Sequence, residues 1–208
     1  MQIPNAVHKV DQEPSSQVEP VVVAAGRLVP QKGFDLLIQA FARVVAEHPE
    51  WRLRVIGTGP RRSQLAGLID QYGLGDHVAL PGRTDQLERE LTAASVFVLS
   101  SRFEGLPMVM IEAMTHALPV VAFDCPTGPR DVLRDGVDGV LVPPRDVDAL
   151  AAALGRVIAD RERRVRMGKA AAKAARAYAA ELVMPLWEDL FAELVGGEQV
   201  SDTFWSGR

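Results

Sequence analysis

From Val21 onward the chain alternates short β-branched runs with helix-length amphipathic stretches, and few architectures satisfy that order. Val21–Ala25, Arg52–Ile56, His77–Leu80, Val96–Leu99 and Val120–Phe123 read as strands, with a short last one at Gly139–Val142. Between them the spacing predicts helices over Gly33–Glu47, Arg61–Tyr72, Asp85–Ala94, Pro107–His116 and Gly128–Leu133. In the first of these, Phe34, Leu37, Ile38, Phe41 and Val45 recur at three- and four-residue intervals, which gathers them on one face. Strand–helix alternation of this kind is satisfied by a parallel sheet covered on both faces. The expectation is therefore an α/β, Rossmann-like, doubly wound sheet of about six strands. Helices over Val147–Ala159, Arg161–Tyr178 and Val183–Leu194 follow the last strand.

The punctuation sets expected limits. Residues 1–19, broken by Pro4 and Pro14, read as a flexible lead-in, and residues 20–180 as the folded body. Residues 181–195 read as a separate terminal helix, and the Gly-rich 196–208 as a fraying tail. A net charge of −4 excludes the basic face of a general nucleic-acid binder. One cysteine, Cys125, excludes an intrachain disulfide and a thiolate metal cluster. Met1–Pro20 carries polar and acidic residues where a signal peptide needs an apolar core, so the expected location is cytoplasmic.

In an open parallel sheet, ligands bind beyond the carboxyl ends of the strands. The loop after the first strand holds Gly26, then Arg27 and Lys32, two cations suited to phosphate oxygens. Alone, they are better read as solvated surface cations; beside the helix start at Gly105 the phosphate role is favoured instead. Gly57-Thr58-Gly59-Pro60 fails as a dinucleotide fingerprint, because Arg62 stands where its third glycine belongs. Its glycines permit close approach of a ligand or simply make a turn. Arg83 and Thr84 could meet a flat base, and Asp85 reads as a helix N-cap.

The fourth loop is the most informative. Glu104 lies at the lip of the sheet, Gly105 and Pro107 open a helix, and Glu112 follows on the same helical face as Met108. Two acids thus bracket the free N–H groups of a helix start, an arrangement suited to phosphate flanked by hydroxyl-bearing sugars. In the fifth loop Cys125 has no neighbouring His to act as a base and reads as a buried spectator. Asp146 and Asp148 spell a metal-binding carboxylate pair but start a helix, where capping is the simpler role. His8, His48, His77 and His116 have no ligand-like spacing.

Taken in order, these loops resemble the carboxyl-terminal half of retaining glycosyltransferases of the GT-B fold, in glycosyltransferase family 4. The similarity rests on Gly26-Arg27-Leu28 with Lys32-Gly33-Phe34-Asp35, on Gly57-Thr58-Gly59-Pro60, and on Glu104-Gly105-Leu106-Pro107 through Glu112-Ala113-Met114. Leu118-Pro119-Val120-Val121 and Gly139-Val140-Leu141-Val142-Pro143 complete it.

The resemblance implies a hexosyl transferase (an EC 2.4 activity) using a nucleotide-diphosphate sugar, UDP- or GDP-linked, with no cofactor and no metal. It implies catalytic roles for Glu104, Arg27 and Lys32. Donor contacts fall to Gly26, Gly57, Arg83, Thr84, Gly105, Leu106, Pro107, Met108, Val109 and Glu112, with Glu112 on the ribose. The lead-in resembles the inter-domain hinge, and the last helix the one that crosses to an amino-terminal domain. By that likeness the chain is a donor-binding half, inactive alone, whose acceptor and membrane contacts belong to the other half. Its last helix is then exposed, locally buried or self-associating. The alternative is a non-catalytic nucleotide-binding or assembly module that pairs with a partner through that helix.

Overall fold

The computed structural model describes residues 3–195. Six strands form one wholly parallel sheet: β1 (Val21–Ala25), β2 (Arg52–Ile56), β3 (Val78–Gly82), β4 (Val96–Leu99), β5 (Val120–Phe123) and β6 (Gly139–Val142). Their order is β3-β2-β1-β4-β5-β6, so strand order reverses between β1 and β4. That is where an open α/β sheet leaves a crevice at its carboxyl edge.

Helices cover both faces. On one, α1 (Phe34–Glu47), α2 (Arg62–Gln71) and α6 (Val147–Ala159) bury Phe34, Leu37, Phe41, Leu65 and Leu154 against Val22, Leu53 and Val98. On the other, α3 (Leu87–Ala93), α4 (Met108–Thr115), the single turn α5 (Pro129–Val132) and α7 (Arg161–Ala175) pack Leu91, Ile111, Met114, Val132 and Ala171 against Val23 and Phe97. The central β1, β4 and β5 face both layers, which is why their sequences are apolar at successive positions rather than alternating.

Several expectations need correction. The lead-in is docked, although it forms no strand or helix. Val7 is buried and bridges Ala179 in parallel, Ser15 N–H donates to the His116 carbonyl (2.8 Å), and Gln17 Nε2 donates to the Ala117 carbonyl (2.7 Å). Arg164, stacked 5.3 Å over Trp51, donates to the Gln17 carbonyl and to the last carbonyls of α6. Single long-range hydrogen bonds of this kind leave no periodicity in the sequence. The third strand runs on to Gly82, and the helix expected to end at Tyr178 closes at Ala175 with a 3₁₀ turn over Arg176–Tyr178. Asp85 does not cap α3. Gln86 holds the cap position, and its N–H is bonded by Thr84 Oγ1 at 3.0 Å.

The last helix, α8 (Ala180–Leu194), starts earlier than its apolar pattern suggested and carries Pro185 inside it. Val183 is its buried residue, while Leu182, Met184, Leu186, Phe191 and Leu194 face solvent. These five side chains are therefore not buried locally, the one of the expected fates that this arrangement excludes. The tail 196–208 lies outside the described residues. Among those residues no helix is long and apolar enough to cross a membrane.

Candidate functional site

The loops that follow β1 to β5 are sewn together at the carboxyl edge of the sheet. Gly26 N–H donates to the Ile56 carbonyl (2.9 Å), Leu28 N–H to the Thr58 carbonyl (2.8 Å) and Gly57 N–H to the Gly82 carbonyl (2.8 Å). Gly57 has φ +143°, and a side chain there would overlap the Gly26 carbonyl. The third glycine of a nucleotide fingerprint is therefore irrelevant here, because Gly57 serves loop-to-loop contact.

A 3₁₀ turn over Pro30–Lys32 ends at Gly33, whose φ of +63° and bare Cα admit the Ser100 carbonyl. Ser100 Oγ then donates to the Lys32 carbonyl (2.9 Å). This junction sets Lys32 Nζ 2.6 Å from Glu104 Oε1, and Ser101 Oγ donates to the same oxygen at 2.5 Å. Glu104 is buried, at 8% exposure, while the Lys32 side chain retains 19%. The sequence reading gave Lys32 and Glu104 separate tasks and missed this ion pair, as well as Ser101. The signal for it was an opposite charge after each of two strands that lie side by side.

The Lys32 stem lies against Gly26, where an added Cβ would stand 3.3 Å from Lys32 Cε. Arg27 follows Gly26 directly, is exposed, and forms no ion pair among the described residues. One cation is thus neutralised within the site and its neighbour remains available for an anion.

Pro107 occupies the N-cap position of α4 rather than its first turn. Met108 N–H donates to the Leu106 carbonyl, and Met110 and Ile111 N–H to the Pro107 carbonyl. The cradle expected over Gly105–Val109 is smaller in consequence. Pro107 has no N–H and that of Met108 is committed. Gly105, Leu106 and Val109 keep amides with no backbone acceptor among the described residues. The β5 loop closes over this segment: Thr127 Oγ1 donates to the Glu104 carbonyl, and Gly128 lies against Gly105 and Pro107. The Gly128 amide is bonded to Asp131 Oδ2 at 3.1 Å.

Cys125 is buried, and burial, then the neighbouring Glu104 charge, pushes its thiol up to about 11. It is protonated at neutral pH and is no nucleophile in this state.

Glu112 stands on the flank of the site. Half-buried, its carboxyl is raised above the usual glutamate range by burial. It lines a cavity of about 510 Å³ with Val7, Asp85, Gln86, Arg89 and His116, where Lys32 and Glu104 do not reach. Arg27, Lys32, Glu104 and the open amides of Gly105, Leu106 and Val109 thus all lie in segments that follow β1 and β4 at the carboxyl edge, with Gly105 and Leu106 lining a further cavity against Ile3, Pro4 and Tyr178. Glu112 sits deeper on α4, facing the segment after β3. Arg83 is exposed in that segment, and Thr84 Oγ1 accepts from the Gln86 N–H (3.0 Å).

The other carboxylate pair is structurally employed: Asp146 Oδ1 accepts from Ala149 N–H (2.9 Å) and Asp148 pairs with Arg43. Among the described residues no three His, Cys, Asp or Glu side chains gather as a metal-binding set. A free cation, a paired lysine, three open amides and a partly buried acid together suit an anionic group flanked by hydroxyls.

Comparison with known proteins bears on this geometry. Residues 8–174 match the profile of the glycosyl transferases group 1. An exopolysaccharide phosphotransferase of Streptomyces coelicolor is 41% identical over 194 residues, covering 93% of this chain and 21% of the relative. An amylovoran biosynthesis glycosyltransferase of Erwinia amylovora is 33% identical over 169 residues, covering 81% of this chain and 47% of the relative. The chain therefore spans less than half the length of either. Among solved structures, a mutant of S. aureus TarM in complex with fondaparinux, α-GlcNAc-glycerol and UDP superposes with a TM-score of 0.87 at 29% identity. That match covers 92% of this chain and 39% of TarM. The six-stranded Rossmann-like sheet is that of the GT-B glycosyltransferases.

Proposed function

The chain belongs to the glycosyl transferases group 1, and on that premise we propose that it is the donor-binding, carboxyl-terminal half of a retaining glycosyltransferase of family 4. The observation that carries this reading is the Lys32–Glu104 contact, which joins the loops after β1 and β4 at the carboxyl edge of the sheet. Its donor is a nucleotide-diphosphate sugar. The binding of UDP by the related TarM favours a uridine nucleotide.

In this reading Arg27, the free protons of the Lys32 ammonium and the α4 amides take the diphosphate. As the sugar leaves, negative charge grows on the β-phosphate, and these donors hold it more tightly than they hold the ground state. That supplies the charge stabilisation other transferases draw from a metal, so neither metal nor cofactor is invoked. Glu104, tied to Lys32 and Ser101, positions sugar hydroxyls and faces the oxocarbenium-like centre rather than attacking it. Glu112 takes the ribose hydroxyls in the flanking cavity, with Arg83 and Thr84 toward the base and Gly26 and Gly57 keeping the backbone close. The names of the relatives in exopolysaccharide and amylovoran synthesis support a surface polysaccharide or its precursor as acceptor. Nucleotide sugars are available in the cytoplasm, where we place the reaction. Acceptor contacts, and any membrane contact, belong to a partner domain, and the chain alone binds nucleotide without transferring sugar.

Calorimetric titration of the folded chain with UDP, GDP and ADP tests the reading. Binding of one nucleotide more tightly than the others is expected, and absence of heat with all three overturns it. The exposed apolar side of α8 favours a second reading, an assembly module. An oligomer that forms without nucleotide and is lost when Trp187 and Leu190 are made acidic would support that one.

A further inference from the structure

Arg102 and Asp35 lie outside every role assigned so far, yet they frame the Lys32–Glu104 pair. Asp35 is in the first turn of α1, three residues after Lys32, and Arg102 is two residues before Glu104. Their side chains meet in a fork: Nη1 to Oδ1 at 2.8 Å and Nη2 to Oδ2 at 2.6 Å, both partly buried. Arg102 Nη1 also donates to the Pro30 carbonyl (2.6 Å), and its backbone N–H to the Gln31 carbonyl (2.7 Å). Gln31 Nε2 returns a bond to the Phe103 carbonyl (3.1 Å). Residues 30, 31 and 35 on one side are thus clamped to residues 102 and 103 on the other, with Lys32 and Glu104 inside the clamp. Burial works to raise Asp35, but the Arg102 guanidinium outweighs it and holds the carboxyl below its ordinary value, so the fork is charged at neutral pH.

Resting on the donor-binding reading above, we propose that the Arg102–Asp35 fork is a positioning device that presets Lys32 and Glu104 for the diphosphate sugar. A lysine has a flexible four-carbon stem and loses rotamer freedom when it is held. Two loops joined by a planar, bidentate pair carry that ordering before ligand arrives, so donor binding need not meet it. An ordinary stabilising ion pair would act on the fold as a whole. A positioning pair acts through Lys32.

The test is a double-mutant cycle on the whole chain with UDP as probe. R102Q is expected to weaken UDP binding about tenfold in the native background and to change it little in K32A, because its effect passes through Lys32. Uridine affinity should not move. Additive losses in the two backgrounds, or equal losses for UDP and uridine, overturn the proposal. R102K keeps the charge but not the fork, and should recover only part of the loss. It also serves if R102Q does not fold. Without any nucleotide, labelling by an amine-reactive ester should rise several-fold at Lys32 in R102Q and stay constant at the exposed Lys169. Unchanged Lys32 labelling refutes the clamp. A wild-type chain that binds no nucleotide refutes the donor-binding reading instead, and the labelling ratio then decides the clamp by itself.

Discussion

Replacing Glu104 by Gln should tighten nucleotide binding, although Glu104 is proposed to act in catalysis. The side chain accepts from Lys32 Nζ (2.6 Å) and Ser101 Oγ (2.5 Å) at one oxygen, and it is 6% exposed. Gln keeps an acceptor for both donors and removes only the charge. The fold therefore loses the charge assistance of two bonds, about 1–2 kcal/mol, or a few degrees in Tm for a chain of this size. The nucleotide gains. In the native site a diphosphate approaches a lysine already neutralised and a carboxylate that repels it. One charge at roughly 6 Å in an effective dielectric near 20 is worth about 3 kcal/mol. Screening at an open sheet edge cuts this to about 1 kcal/mol, or roughly fivefold in Kd. Calorimetric titration with UDP at low and high salt reads this directly: tighter binding in E104Q, with the gain shrinking as salt rises. A tenfold or greater loss of UDP affinity in a folded E104Q chain would show that Glu104 holds the nucleotide itself, and the assignment would be wrong.

Arg27→Ala combined with Lys32→Ala should weaken UDP by about 3 kcal/mol or more and leave uridine unchanged, since charge-assisted phosphate bonds are worth roughly 1.5–3 kcal/mol each. Parallel titrations separate the two ligands. Gly57→Ala forces a Cβ onto the Gly26 carbonyl at a strained φ, and should lower stability by about 2–4 kcal/mol in urea unfolding. Cys125, with its thiol raised to about 11 and buried, should resist iodoacetamide at pH 8 in the folded chain and react only after unfolding. Glu112 is raised by burial, so the folded state holds its proton more tightly than the unfolded state does. Its stabilising contribution is full below the unfolded glutamate value and is lost as pH rises through the folded one. Glu112→Gln should therefore be more stable than the native chain at neutral pH, and no less stable near pH 4, by thermal melting.

Much of this architecture was legible because its signals are local and periodic. The apolar rhythm of Phe34, Leu37, Ile38 and Phe41 gave α1 to within one residue, and Asp146 was recognised as the cap of α6. That Gly26, Gly57, Arg83 and Glu104 share one edge was legible too, because a wholly parallel sheet puts every strand's carboxyl end on the same side. What escaped detection depends on pairings across tens of residues. Lys32 and Glu104, or Asp35 and Arg102, look like scattered surface charges until β1 and β4 are known to be neighbours. The docked lead-in escaped for the same reason, since Gln17 and Val7 are fixed by single contacts to Ala117 and Ala179. Helix starts shifted by a residue or two where no side chain caps them: Gln86 rather than Asp85 precedes α3, and Pro107 stands one position outside α4.

In the proposed site a nucleoside diphosphate lies across the carboxyl ends of β1 and β4, its phosphates held by Arg27, Lys32 and the amides of Gly105, Leu106 and Val109. Backbone amide NMR of the chain during titration with UDP tests that place residue by residue. The account predicts the largest shifts at Gly26, Arg27, Lys32, Gly105, Leu106 and Val109, smaller ones near Arg83, Thr84 and Glu112, and none along the groove between α1 and α6 at Arg43 and Arg156. Saturable shifts confined to that groove, or to any surface away from the β1 and β4 loops, would contradict it.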